Sequence, residues 1–430
     1  MEDEHKITPG RYTILQRQGY TKLYKVKENG TVMIRHFTVE TQNAVNAKFF
    51  DLFQMKPKGN SRKMCKLERV TSVDDDIKHT GGSGNDNRNI IDDGTSQTLT
   101  KEQIEELQDG SKSSVEIVNQ LIANSKTFSS KTGYSQEKYK SKKQKKYYEY
   151  IYFRKPTIRI LAQMFYRQDP TKVLGIRTDD LSQILAYANI QTDGKYILFD
   201  SGTSGLMTAA ILNAIGANTS GKLVHMHPGN ECQKVAVQAM DFPQEQLSRC
   251  INVNIYSVLR CFYQNSEENM LKRKLPLEEE EVVQKKMKLD DDVEEGIKEV
   301  VVATEEVEAS NKNEVSNGKK TPGWQIENAK ACELLREGVD GLIIVAKEHP
   351  ASIVKELTQF LNVSRNMVVF HLLREPLQDI YIDLKKSLEF VNIKVSNNFV
   401  RNYQVLPDRT HPLVNMNSGG HILHGQKVQS

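Results

Sequence analysis

The stretch Tyr196–Gly216, YILFDSGTSGLMTAAILNAIG, begins as an apolar run of strand length, breaks at Gly202 and Gly205, and resumes as a helix rich in small apolar residues. Strand, glycine turn and helix in that order open the pocket of many nucleotide- and S-adenosylmethionine-binding sheets. Outward from it the alternation continues. TDDLSQILAYANI (178–190) reads as a helix, KYILFD (195–200), KLVHMH (222–227), INVNIYS (251–257) and DGLIIVA (340–346) as strands, and CQKVAVQAM (232–240) and ASIVKELTQFL (351–361) as helices. Such alternation predicts an α/β domain over 156–430, a doubly wound, mostly parallel Rossmann-like sheet with helices on both faces. An interruption over 264–322 is acidic and nearly free of aromatics, and reads as a disordered insertion in a surface loop.

Residues 1–155 carry a different rhythm. RYTILQRQ, TKLYKVKE, TVMIRHF and FFDLFQM are short alternating runs broken by Gly19, ENG and KPKGN, which predicts a small antiparallel β-barrel. Thr100 and Gln103 stand as a capping box flanked by Leu99 and Ile104, and Ser113 with Glu116 repeats the device. Two helices therefore lead to KYKSKKQKKYYEYIYFRKP, a lysine-rich stretch that becomes a strand near Tyr148 and stops at Pro156.

The glycine turn is poor for a working pocket. DSGTSG is one glycine short of the ExGxGxG form, with Thr203 and Ser204 expected to put side chains where a cofactor would approach. The next strand, whose end should carry a carboxylate for the ribose hydroxyls, ends in HMHPGN and offers His227. After the strand 340–346 comes Lys347, with Glu348 the nearest acid. The expectation is a degenerate pocket at Asp200, Gly202, Gly205 and His227, with no catalytic residue and no cofactor in this chain. The competing reading is a self-sufficient RNA methyltransferase using Asp200 toward the cofactor and Glu348 near the base.

Net charge is +4 over 430 residues, but it averages unlike blocks. Lys131–Lys172 holds twelve Lys or Arg against three acids, and Glu267–Glu308 seven against fifteen. A basic block interleaved with tyrosines points to a polyanion, so Lys142, Lys143, Lys145 and Lys146 read as phosphate contacts and Tyr147, Arg154 and Lys155 as stacking or positioning groups. A solvated lysine face beside core tyrosines is the plainer alternative. No apolar run reaches membrane-spanning length, and the start lacks the layout of a secretory signal. Five cysteines lack metal-ligand spacing, so no metal is expected.

DNRNIIDDGTSQTLT, KYKSKKQKKYY, RILAQMFY and the C-terminal VRNYQVLPDRTHPLVNMNSGGHILHG together resemble the non-catalytic, RNA-binding subunit of eukaryotic tRNA (adenine(58)-N(1))-methyltransferases. The resemblance implies a lost cofactor site and a tRNA partner. It also implies a catalytic methyltransferase subunit that holds S-adenosylmethionine, a heterotetramer with two of each subunit, and nuclear placement; the string KRK (272–274) fits nuclear import. It adds RNA candidates: Arg88, Asn89, Ser96 and Gln97 in the polar stretch, Tyr166, Arg167 and Arg177 after the basic strand, Lys347 and Arg374, and Arg401, Tyr403, Arg409 and His411 near the C-terminus. For DNRNIIDDGTSQ a plain linker is the alternative reading of the residues alone, and for YQVLPDRTHP an ordered turn at a subunit contact stays equally open. An RNA-binding translation initiation factor with the sheet as scaffold is the remaining alternative.

Overall fold

In a computed structural model the described residues are 5–58, 61–71, 82–84, 86, 88, 96–109, 114–147, 149–264, 322–406, 409–413 and 418–428. The alternating runs of the N-terminal part form β1 (Tyr12–Arg17), β2 (Tyr20–Lys25), β3 (Thr31–Ile34), β4 (Phe37–Glu40), β5 (Leu52–Lys58) and β6 (Ser61–Val70). Helices α1 (Lys101–Asp109), α2 (Ser114–Ala123) and α3 (Gly133–Tyr147) then lead to β7 (Tyr150–Arg154). Strand β7 slots between β1 and β5, giving the order β2-β1-β7-β5-β6-β4-β3. At the two edges Lys22 of β2 donates through Nζ to the carbonyl of Met33 on β3 at 2.9 Å, so the sheet nearly closes into a barrel. Ile14 faces out of it, while Leu15, Val32, Ile34, Val39, Phe53, Leu67, Ile151 and Phe153 pack its interior.

One pairing departs from the expected antiparallel barrel. Strands β4 and β6 run parallel, because the β5–β6 hairpin returns the chain alongside β4 in the same direction. The capping box at α1 is made as the sequence predicts: Gln103 N donates to Thr100 Oγ1 at 3.2 Å and Thr100 N to Gln103 Oε1 at 3.0 Å. Ser113, the expected cap of α2, lies outside the described residues, as does 265–321, nearly all of the acidic insertion and the KRK string with it.

Beyond Pro156, Thr157 caps α4 (Ile158–Gln168) through Oγ1, and α5 (Thr178–Ala188) follows. Then come β8 (Lys195–Asp200), α6 (Leu206–Ile215), β9 (Lys222–His227), α7 (Val235–Met240), α8 (Gln244–Ser248), β10 (Cys250–Asn254) and α9 (Ile255–Tyr263). After the insertion the chain adds α10 (Gly323–Glu337), β11 (Val339–Val345), α11 (Ala351–Leu357), β12 (Leu361–His371), α12 (Glu375–Ser387), β13 (Phe390–Phe399), a small antiparallel pair of β14 (Tyr403–Leu406) and β15 (Arg409–Pro412), and β16 (Ser418–Lys427). Strand β10 is shorter than INVNIYS suggests. Asn254 Oδ1 accepts the amide of Ser257 at 3.0 Å and starts α9 there.

The second sheet has the order β10-β9-β8-β11-β12-β16-β13. Its first five strands pair parallel, and β16 lies antiparallel between β12 and β13. Numbered along this sheet the order is 3-2-1-4-5-7-6. Leu198, Leu223, Ile343 and Val368 pack one face against α4 to α7, and Ile197, Val224, Leu342 and Val369 pack the other against α9 to α12. The connections diverge between β8 and its neighbours β9 and β11, which places a crevice at the C-terminal ends of these strands. Asp200, His227 and Val345 end there. The barrel leans on the α4–α7 layer through Ile14, through Gln168 Nε2 on the carbonyl of Thr21 at 2.9 Å, and through Arg11 paired with Asp241 at 3.0 Å.

Candidate cofactor cleft and nucleic-acid surface

At the end of β8 the Asp200 carboxylate is buried, and both its oxygens are engaged by the turn that follows. Oδ1 accepts the amides of Gly202 at 2.8 Å and Thr203 at 2.9 Å, while Oδ2 accepts the Thr203 hydroxyl at 2.5 Å. Thr203 is fully buried, so its side chain points into the turn rather than into the cleft as expected. Ser204 likewise turns away and donates through Oγ to the carbonyl of Lys172 at 3.0 Å. What covers the turn is a residue the sequence reading did not single out. Gln233, in the loop after β9, accepts the Ser204 amide on Oε1 at 2.5 Å. A Cβ on Gly202 would lie 3.3 Å from Gln233 Nε2, and one on Gly205 only 2.6 Å from the Gln233 carbonyl. Gly205, at φ +75°, is thus required both for its conformation and for this close approach.

S-adenosylmethionine, which this class of sheet commonly holds, needs open turn amides and a carboxylate at the end of the second strand. Here the amides of Gly202, Thr203 and Ser204 are satisfied internally. At the end of β9, His227 Nδ1 lies 2.8 Å from the carbonyl of Gly229, so Nδ1 carries the proton. Burial, with His225 beside it, holds the His227 imidazole below its ordinary pKa and keeps it neutral. Glu348 accepts the Ser201 hydroxyl at 2.8 Å. The residues present therefore do not fit the cofactor. The loop 231–234 divides the crevice into two open clefts of about 790 Å³ each, one lined by Tyr166, Lys172, Gln233, Lys347 and His371, the other by His227, Lys234 and Trp324.

The basic segment forms α3, whose inner face rests on a small cluster of Val118, Ile122 and Phe128 through Tyr139 and Tyr147. Tyr147, a candidate stacking residue, is therefore half-buried packing. Lys142 and Lys146 are exposed, and Lys138, absent from the sequence candidates, is exposed one turn before them. The i, i+4 spacing that marks one helix face was the signal for Lys138. Lys143 sits over the Tyr139 ring at 5.2 Å, and burial, then its neighbours Lys146, Lys142 and Lys131, push its pKa down. The side chain of Lys145 lies outside what is described.

The other candidates divide. Arg154 and Lys155 come together at the end of β7, and Lys155 is exposed. Tyr166 and Lys347 both line the first cleft, Arg167 is exposed on the last turn of α4, and Arg374 is exposed ahead of α12. Arg401, just before the paired strands β14 and β15, and Tyr403, the first residue of β14, are exposed, and His411 of β15 approaches Tyr134 of α3 with ring centroids 5.9 Å apart, so two distant candidate segments touch. Within YQVLPDRTHP, Tyr403–Leu406 pairs antiparallel with Arg409–Pro412; residues 407–408 and the side chain of Arg409 lie outside what is described. Arg88 is exposed and paired with Asp86 at 2.7 Å, and Asn89 lies outside the described residues. The backbone carbonyl of Ser96 accepts the amide of Lys126 at 2.9 Å. Gln97 is a tie within the fold, donating to the carbonyl of Leu121 at 3.0 Å. So is Arg177: its guanidinium is buried, paired with Asp179 at 2.5 Å and bonded to the carbonyl of Asn398 at 2.9 Å. Neither presents its side chain to a ligand. Among the described residues no group of His, Cys, Asp and Glu is placed to hold a metal ion, and no helix is long and apolar enough to cross a membrane.

The strand order 3-2-1-4-5-7-6 with the seventh strand reversed defines a Rossmann-like methyltransferase fold, here joined to a barrel-like N-terminal sheet and carrying a closed glycine turn. Against family models, residues 6–286 match the Gcd10p family, and the chain belongs to that family. It is 31% identical, over 99% of its length and 89% of the relative, to the "tRNA (adenine(58)-N(1))-methyltransferase non-catalytic subunit TRM6" of Mus musculus. It is 29% identical to the protein of the same description from Dictyostelium discoideum, over 98% of this chain and 79% of that one. Among solved structures it is similar to the tRNA (m1A58) methyltransferase TrmI of Aquifex aeolicus, at 10% identity and a TM-score of 0.43, covering 99% of this chain and 100% of that one.

Proposed function

We infer that this chain is the non-catalytic subunit of a tRNA (adenine(58)-N(1))-methyltransferase, the description its relatives carry. It binds tRNA and completes an assembly in which a catalytic partner holds S-adenosylmethionine and transfers the methyl group. The observation that carries this reading is the sealed turn: Asp200 and Gln233 take up the amides that a donor molecule would need. The RNA surface we propose comprises Lys138, Lys142, Lys143 and Lys146 on α3, Arg154 and Lys155 at the end of β7, Lys347 in the cleft and Arg374 ahead of α12, and Arg401 with Tyr403 and His411 of β14 and β15. Mixed phosphate and aromatic groups of this kind position a folded RNA without reading its sequence. An assembly with two copies of each subunit, placed in the nucleus, is part of the proposal and rests on the family resemblance.

The test uses the full chain, alone and co-expressed with the catalytic partner. Alone it binds tRNA and gives no heat with S-adenosylmethionine, and only the assembly methylates. Micromolar cofactor binding to the lone chain, or methylation unaffected by its removal, refutes the reading; the latter result would favour a role in translation initiation.

A further inference from the structure

The turn between β4 and β5 holds two adjacent phenylalanines that behave oppositely. Phe49 packs against the barrel core, whereas Phe50 is 61% exposed. Phe50 also has φ +70°, a left-handed conformation that a bulky side chain rarely adopts. Its amide is fixed by the carbonyl of Phe153 at 2.9 Å, so the ring is held outward over the end of β7. There the Arg154 guanidinium lies 5.7 Å from the ring centroid, anchored through Nη1 to Gln16 Oε1 at 3.0 Å, while its buried Nε has no hydrogen-bond partner. Lys48, two residues before Phe50, and Lys155, next to Arg154, are exposed, and Asp51 is already paired with Arg69 at 3.0 Å. Phe50 is the one exposed large apolar side chain among the described residues 46–52 and 149–156.

We propose that Phe50, with Arg154 behind it, is a stacking platform for an unpaired base of the bound RNA, flanked by phosphate contacts from Lys48 and Lys155. An outward aromatic among cations, without exposed aliphatic neighbours, fits a nucleotide better than a protein surface, since every base offers a π-face and its phosphate a negative charge. The platform stands one strand from the end of α3; five residues of β7 span about 17 Å, so one RNA strand reaches both the lysine row and the ring. Stacking here would also give a purpose to a strained, exposed phenylalanine at a position where glycine or asparagine would relieve the backbone. This inference rests on the RNA-binding reading above.

The experiment measures affinity of the full chain for a tRNA transcript across a salt series, for wild type, Phe50→Ala, Phe50→Gly and Phe50→Trp. Phe50→Gly removes the ring while suiting the left-handed backbone, so a folding defect cannot imitate its effect. The expected result is about tenfold weaker binding for the Ala and Gly variants with an unchanged salt slope, and affinity retained by the Trp variant. Wild-type affinity in the Ala and Gly variants overturns the platform. A weaker binding with a flatter slope also overturns it, assigning the site to phosphate, and loss of the co-expressed partner with tRNA affinity intact assigns it to protein contact. If wild type itself fails to bind tRNA, the RNA-binding reading has failed instead.

Discussion

Lys138, Lys142 and Lys146 stand one turn apart on the exposed face of α3. At four residues and 1.5 Å per residue, successive positions rise about 6 Å, which makes two like-charge i, i+4 pairs. Each such pair costs about 0.2–0.5 kcal/mol, so the row carries roughly 0.4–1 kcal/mol of repulsion when no anion is near. The triple variant Lys138→Gln, Lys142→Gln, Lys146→Gln is therefore slightly more stable than wild type, read from urea unfolding at low salt. Its RNA binding moves the other way. Each lost phosphate contact lowers the slope of log affinity against log salt by about 0.9 on duplex and about 0.7 on single strands, so three contacts lower it by about 2–3 units. The assay is tRNA binding titrated from low to physiological salt. Opposite signs for stability and affinity are the signature of a row held for a polyanion. An unchanged slope refutes the reasoning and assigns the row to solvent.

Asp200→Asn removes a charge-assisted acceptor from the turn and costs about 2 kcal/mol of stability by denaturant unfolding, while the affinity of the folded variant for tRNA is unchanged. Arg177→Ala leaves the buried Asp180 carboxylate short of its cation; stability falls by about 3–5 kcal/mol with no change in salt slope, and a flatter slope would return Arg177 to the RNA surface. Burial lowers the pKa of both His225 and His227, so the unfolded chain binds their protons first as the solution is acidified. Their stabilising effect is complete above the ordinary imidazole pKa of about 6.5 and is lost as pH falls through the lower folded values. The thermal midpoint should drop below about pH 6.5 and drop less in His225→Gln; equal acid sensitivity in that variant would exclude His225 as a source.

The parallel half of the second sheet was legible because its strands are continuous apolar runs bounded by turns; KYILFD and KLVHMH are β8 and β9 to the residue. The C-terminal half was not. Strand β12 opens with the exposed run Asn362–Arg365 before its buried end, and β13 mixes exposed and buried residues without strict alternation, so neither shows a clean period. Parallel pairing of β4 with β6 was invisible for another reason: register between strands depends on where an intervening hairpin returns, which no local pattern records. At the site, the missing glycine and the absent carboxylate at His227 were readable, but the agent of closure was not. Gln233 lies 29 residues from Ser204, and only the folded loop brings them together.

The closed turn keeps nearly every structural duty of an open one. Gly205 allows the chain to reverse beneath the Gln233 carbonyl, Asp200 ends β8, and Thr203, ahead of the Gly205 N-cap, accepts the Met207 amide of α6 on Oγ1 at 3.3 Å. Each of these contacts is made within the chain, so β8, α6 and their neighbours hold together without a ligand. A fold whose cofactor side turns inward in this way needs only a few polar exchanges to become a scaffold. What remains outside, lysines on α3 and cations beside Phe50, is the surface we propose for the RNA.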